Sequence, residues 1–164
     1  MAAYEAAGKS DEWYTPRYIF DALGMTFDLD VAAPTAGPRH VPASRWFWEK
    51  SLEREWNGLV WMNQPFGHQK QKRQWLSKFF DHGNGVALVP DRTSAPWFQE
   101  FAPMADVICW VSPKIKFERP DGSLGESPGT GTCLFAAGPV ASIALSECGL
   151  GMVTSKFNAT LEGA

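Results

Sequence analysis

The chain has 164 residues, 45% of them hydrophobic, which is enough for one well-packed domain and too little for two ordinary ones. Its net charge of −3 argues against a protein that coats nucleic acid with its whole surface, so any DNA contact has to come from a local basic patch. The three cysteines, Cys109, Cys133 and Cys148, have no paired spacing and suggest neither a disulfide framework nor a zinc site, and no apolar run approaches the length of a membrane-spanning helix.

Residues 1–10 are dominated by small and polar residues and are expected to form a loose tail. Thr15 and Pro16 read as a helix start, Thr as cap and Pro in the first turn. Tyr18, Ile19, Phe20 and Leu23 give that helix its apolar face, and Gly24 stops it. Phe27 to Ala33 reads as a short buried strand, and Pro34 to Pro42 as a Pro- and Gly-rich loop. From Trp46 to Trp56 aromatics and charges mix at no clear period, so helix and irregular structure both stay open. Leu59 to Met62 is a strand, Gln71 to Phe80 a helix with Trp75, Leu76, Phe79 and Phe80 on one side, and Val86 to Val89 another buried strand.

A helix follows around Ala95 to Ala102, then a strand from Val107 to Val111. Lys114 to Glu118 alternates as a half-exposed strand does, and Pro120 to Ser123 is a turn. Gly125 to Thr132 is a flexible loop, and no lysine follows it at phosphate-loop spacing. Cys133 to Ala137 and Ala141 to Leu145 are the last apolar segments before a tail, 158–164, expected to fray. Strands alternating with helices predict an α/β fold, its sheet mostly parallel with an antiparallel C-terminal portion. Such sheets bind ligands at the carboxyl ends of their strands, where Ala32, Asn63 and Pro90 all fall.

Asn63-Gln64-Pro65-Phe66 is the most informative stretch. A strand delivers it, and Pro65 holds Gln64 in an extended conformation. The Asn63 side chain, the Gln64 carbonyl and the Phe66 ring then offer two acceptors and a stacking face, which an exocyclic amino group on a planar base requires. A plain turn with Asn capping its own backbone is the competing account. Eight tryptophans and eleven phenylalanines suggest that some aromatics line a cleft or interface, with a wholly buried set as the alternative.

These segments, with Asp11 to Pro16, Phe27 to Ala33 and Val86 to Thr93, resemble in order and spacing the phage-type DNA N6-adenine methyltransferases, the Dam family. The resemblance implies a single-domain Rossmann-like methyltransferase over residues 11–157, with S-adenosylmethionine as cofactor and DNA as partner. Catalytic roles would fall on Asn63, Gln64, Pro65 and Phe66. Cofactor binding would fall on Trp13, Thr15, Pro16, Asp30, Ala32, Ala33 and Asn63, with Asp30 as the acid that meets the methionine ammonium and Asp30 as a plain loop cap the alternative. Glu49, Glu53 and Glu55 are all open as the ribose-binding acid. The family carries a proline where this chain has Gln64; since that position supplies a main-chain carbonyl, the glutamine side chain is expected to be dispensable.

DNA contacts are expected from His68, Lys70, Lys72, Arg73, Arg92 and Lys116, with Lys114 and Arg119 as further candidates and a solvated charged surface as the alternative. His40, His68 and His82 lack metal-ligand spacing, so no metal is expected. None of the cysteines follows a proline, which disfavours cytosine-C5 methylation. Free thiols and the absence of a signal-peptide core predict a cytoplasmic protein, and the resemblance implies a bacterial host and a phage or prophage source. Two other readings stay open: an amino-methyltransferase acting on RNA or protein glutamine, and an inactive nucleic-acid-binding protein of the same fold.

Overall fold

Apolar runs too short for helices and flanked by glycine or proline form the centre of the molecule. In the computed structural model, which describes residues 13–64 and 69–156, they build one seven-stranded sheet. Its strands are β1 (Phe27–Asp30), β2 (Ala43–Trp46), β3 (Val60–Met62), β4 (Gly85–Pro90), β5 (Val107–Val111), β6 (Thr132–Ala137) and β7 (Gly151–Ser155). Their order is β2-β1-β3-β4-β6-β5-β7. The first four in that order are mutually parallel; β6 is antiparallel to both β4 and β5, and β7 is antiparallel to β5. β1 to β5 therefore point one way and β6 and β7 the other, as the sequence predicts. The expected tails, 1–10 and 158–164, lie outside the described residues.

Helices cover both faces. The central strands alternate: Trp61, Val86, Leu88, Leu134 and Ala136 pack with α1 (Arg17–Leu23) and α4 (Pro139–Glu147). Val60, Met62, Ala87, Val89, Cys133 and Phe135 pack with α2 (Gln69–His82) and α3 (Pro96–Phe101). Both clusters are almost free of solvent, which makes hydrophobic burial the main force holding the layers together. Phe20 of α1 meets Trp61 edge-on at 4.8 Å between centroids, so α1 is anchored directly beneath the end of β3.

Several elements differ from the sequence expectation. Pro16, not Thr15, is the N-cap residue of α1, and no side chain caps that helix; Thr15 is turned to another purpose, described below. Gly24 does end the helix, in the left-handed conformation that glycine adopts without strain. Tyr18 is 48% exposed rather than part of the apolar face, because a seven-residue helix on a flat sheet can bury only one narrow stripe. β1 stops at Asp30, and residues beyond it turn away. Trp46 to Trp56 begins in strand β2 and continues through a 3-10 turn, Ser51–Glu53. Ala141 to Leu145 belongs to helix α4. Lys114 to Glu118 keeps its alternation, with Ile115 and Phe117 buried, but pairs only through isolated bridges of Glu118 with Tyr14 and Leu124.

The β3–β4 contact is tight where Gly85 opens β4. A Cβ there would overlap the Val60 carbonyl and side chain and press on Phe79 at 3.2 Å. Gly85→Ala is therefore expected to destabilise the fold by about 1–3 kcal/mol, the usual cost of overpacking, as read from urea unfolding. Unchanged stability would show that the β3–β4 spacing can relax.

Candidate active site

Parallel pairing brings the carboxyl ends of β1, β3 and β4 together. Asp30 pairs in register with Trp61, and Met62 with Ala87, so Asp30, Asn63 and Asp91 emerge along one edge. Asp30 is 3% exposed, and one carboxylate oxygen accepts a hydrogen bond of 3.1 Å from the Ala32 N–H. Burial pushes the Asp30 carboxyl up to about 7, and that N–H offsets only part of the rise. Among the described residues Asp30 has no cationic partner.

Thr15, buried just before α1, accepts a hydrogen bond of 3.1 Å from the Asn63 side-chain N–H. The Asn63 carbonyl oxygen is thereby left to accept from something else. Trp13, Thr15, Asp30, Ala32 and Asn63 line one small cavity of about 70 Å³, together with Trp61, Tyr14 and the loop residues Pro34, Pro38, Arg39, His40 and Val41. Pro16 and Ala33 do not line it: Pro16 caps α1, and the Ala33 N–H is bonded to the Phe47 carbonyl at 2.9 Å. Pro65, Phe66 and His68 lie outside the described residues.

A frame that sequence reasoning missed holds this cavity. Tyr14 and Glu118 exchange two backbone hydrogen bonds of 2.9 Å. The Arg39 guanidinium lies 3.8 Å from the Tyr14 ring centroid and donates to the Arg119 and Pro120 carbonyls at 2.8 and 2.6 Å. His40 meets the Glu118 carboxylate at 2.8 Å, and the Arg119 guanidinium sits 5.6 Å above the Trp13 ring. Three segments distant in sequence, around residues 13–15, 34–41 and 117–125, are thus clasped over the ends of β1 and β3. The available signal was the position of the Pro34–Pro42 loop, directly after a strand's carboxyl end.

A family model for DNA N-6-adenine-methyltransferase (Dam) matches residues 5–135, which take in the whole edge from Thr15 to Asp91. The chain belongs to the Dam family. No curated protein and no solved structure matches it.

The cavity is separate from the residues expected to touch DNA. None of Lys70, Lys72, Arg73, Arg92 or Lys116 lines the cavity. Lys70 and Arg73 lie instead on an open groove of about 820 Å³ beside the 3-10 turn, which Lys78, Glu53 and Asp81 also line. Arg73 is paired with Glu100 at 2.9 Å, which ties α2 to α3, and the Lys72 ammonium lies 5.2 Å from the Trp97 ring centroid. Arg92 is half-buried in the turn after β4, and Lys116 is exposed. Among the described residues no group of His, Cys, Asp or Glu gathers as a metal ion would need, and no helix is long and apolar enough to cross a membrane.

One further polar group stands at this edge. Gln64 is 1% exposed, and neither its side-chain oxygen nor its nitrogen has a hydrogen-bond partner; the only other such atom among the described residues is the Thr132 hydroxyl, which opens β6 opposite Pro90. Gln64 follows β3 and does not line the cavity that Asn63 lines, and Thr132 opens β6 beside the end of β4. An amide buried in this way costs about 1–3 kcal/mol of stability.

Proposed function

We propose that this Dam-family protein transfers the methyl group of S-adenosylmethionine to the N6 amino group of adenine in DNA. The observation that carries the reading is that Asp30 and Asn63 line one cavity, with Asn63 fixed by Thr15, in a chain whose family is defined by that activity. The direction of β1 to β5, with β6 inserted antiparallel, supports the Rossmann-like methyltransferase fold in its single-domain form, spanning residues 11–157.

The methionine end of the cofactor suits the chemistry of the residues present. A buried carboxylate that makes no ion pair among the described residues, its oxygen already oriented by the Ala32 N–H, suits an ammonium such as that of the methionine moiety. Trp13, Thr15 and Ala32 would shape that end, and the bound cofactor supplies an electrophilic methyl group. On the substrate side, the amino nitrogen of adenine is conjugated with its ring and is a poor nucleophile until acceptors take its hydrogens. Asn63, fixed by Thr15, and the Gln64 main-chain carbonyl would be those acceptors, with Pro65 holding the corner and Phe66 stacking on the base, an interaction of about 1–3 kcal/mol. Such positioning lowers the barrier without a base of special pKa. Reaching the amino group requires the base to leave the duplex, at a few kcal/mol. Contacts from His68, Lys70, Lys72, Arg73, Arg92 and Lys116 to the DNA backbone would offset that cost. The setting is the cytoplasm of a bacterial host, with a phage or prophage source.

The test is transfer of labelled methyl from S-adenosylmethionine to mixed DNA, RNA and protein, followed by nucleoside and amino-acid analysis. N6-methyladenine in DNA is the expected product. Label found only in RNA, in glutamine or in cytosine would overturn the assignment.

A further inference from the structure

We propose that the side-chain amide of Gln64 is a specificity-determining group that pairs with a ring nitrogen of the target adenine, N1 or N7, beside the amino group being methylated. The inference rests on the function proposed above. Its starting point is geometric: the amide is buried at the carboxyl end of β3, adjacent in sequence to Asn63, with both polar atoms unpaired by any protein group. A side chain needed only for packing at a 1% exposed position would gain by being apolar. A side chain retained with its whole hydrogen-bonding capacity open suits a polar ligand edge.

The chemistry selects the ligand. The side-chain amide carries N–H donors, and one of them complements a ring-nitrogen acceptor of adenine beside the amino group, whose two hydrogens go to Asn63 and the Gln64 main-chain carbonyl. Gln64 would then act twice, its main-chain carbonyl and its side chain addressing neighbouring atoms of one base edge. Proline at this position supplies the carbonyl and nothing else. The side chain that sequence reasoning left idle thus gains a role from its burial.

Two variants separate these contributions. Gln64→Leu and Gln64→Pro both keep the main-chain carbonyl and remove the amide. Single-turnover methylation would be measured on oligonucleotides carrying adenine, 1-deazaadenine or 7-deazaadenine at the target, alongside thermal unfolding of each protein. Wild type should be slowed roughly tenfold by one of the two analogues, the size of one lost hydrogen bond to a buried polar group. Both variants should be slowed about as much on adenine and no further by that same analogue. Gln64→Leu should melt at or above the wild-type temperature, by up to about 2–4 °C, since an unpaired buried amide is gone. Variants that methylate adenine at the wild-type rate and keep its sensitivity to the analogue would overturn the pairing while leaving the function intact. A Gln64→Leu protein that melts well below wild type would also overturn it, because the amide would then belong to the fold. A wild type that methylates no adenine takes down both the function and the pairing.

Discussion

Asn63→Ala is expected to slow single-turnover methylation by about 10²- to 10³-fold while leaving cofactor affinity within about twofold, the signature of a group that acts only as the transition state forms. Asn63 stands two residues past Trp61, whose ring is pinned by Phe20, and its side-chain N–H is held by Thr15, so its carbonyl oxygen is presented in one orientation. Removing the side chain removes a fixed acceptor and frees the Thr15 hydroxyl, without touching Asp30. Measuring cofactor binding and single-turnover rate on the same preparation separates the effects. An Asn63→Ala protein that loses cofactor binding in proportion to rate would make Asn63 a structural residue of the pocket.

Asp30→Asn is expected to weaken S-adenosylmethionine binding by about 1–3 kcal/mol and to abolish its pH dependence. The sign follows from burial. Asp30 in the folded protein titrates at about 7, above the ordinary value of 3.8, so the folded state binds its proton more readily than the unfolded state does. Its contribution to stability is complete below about pH 4 and is lost as pH rises through about 7, a total of about 4 kcal/mol. A cationic ammonium favours the ionised form, so wild-type binding should tighten as pH rises toward 7 and should release a proton below it. The Asn variant should show flat stability across that window and flat affinity. Calorimetric binding in buffers of different ionisation enthalpy reads the released proton directly. Equal proton release from wild type and Asp30→Asn would assign the titration to another group and leave Asp30 as a loop cap for Ala32.

Much of this was legible because the controlling signals are local. Buried strands declare themselves when both faces are covered: Val86 to Val89 is apolar throughout since α1 and α4 pack on one side and α2 and α3 on the other. β2 and β7 gave no such signal. They are edge strands with mostly exposed side chains, and they exist because their neighbours offer unpaired backbone groups. The expectation that Thr15 caps α1 failed because a hydroxyl before a helix serves equally as a cap or as a partner for a distant side chain, and only the fold brings Asn63 within 3.1 Å.

The sequence by itself determined the class of sheet and the family to which its motifs point, and it singled out Asn63, Gln64 and Asp30 as candidates. Each depends on the order of residue types along a short stretch, which backbone sterics and burial read directly. Tertiary structure alone decided that Trp13, Thr15, Asp30, Ala32 and Asn63 share one cavity, that Arg39, His40 and Glu118 clasp it, and that Arg73 is bound to Glu100. It also decided the environment of two polar side chains. The Asp30 carboxyl rises to about 7 and the Gln64 amide is left unpaired because both are buried in the fold, and burial leaves no mark on the sequence around either one.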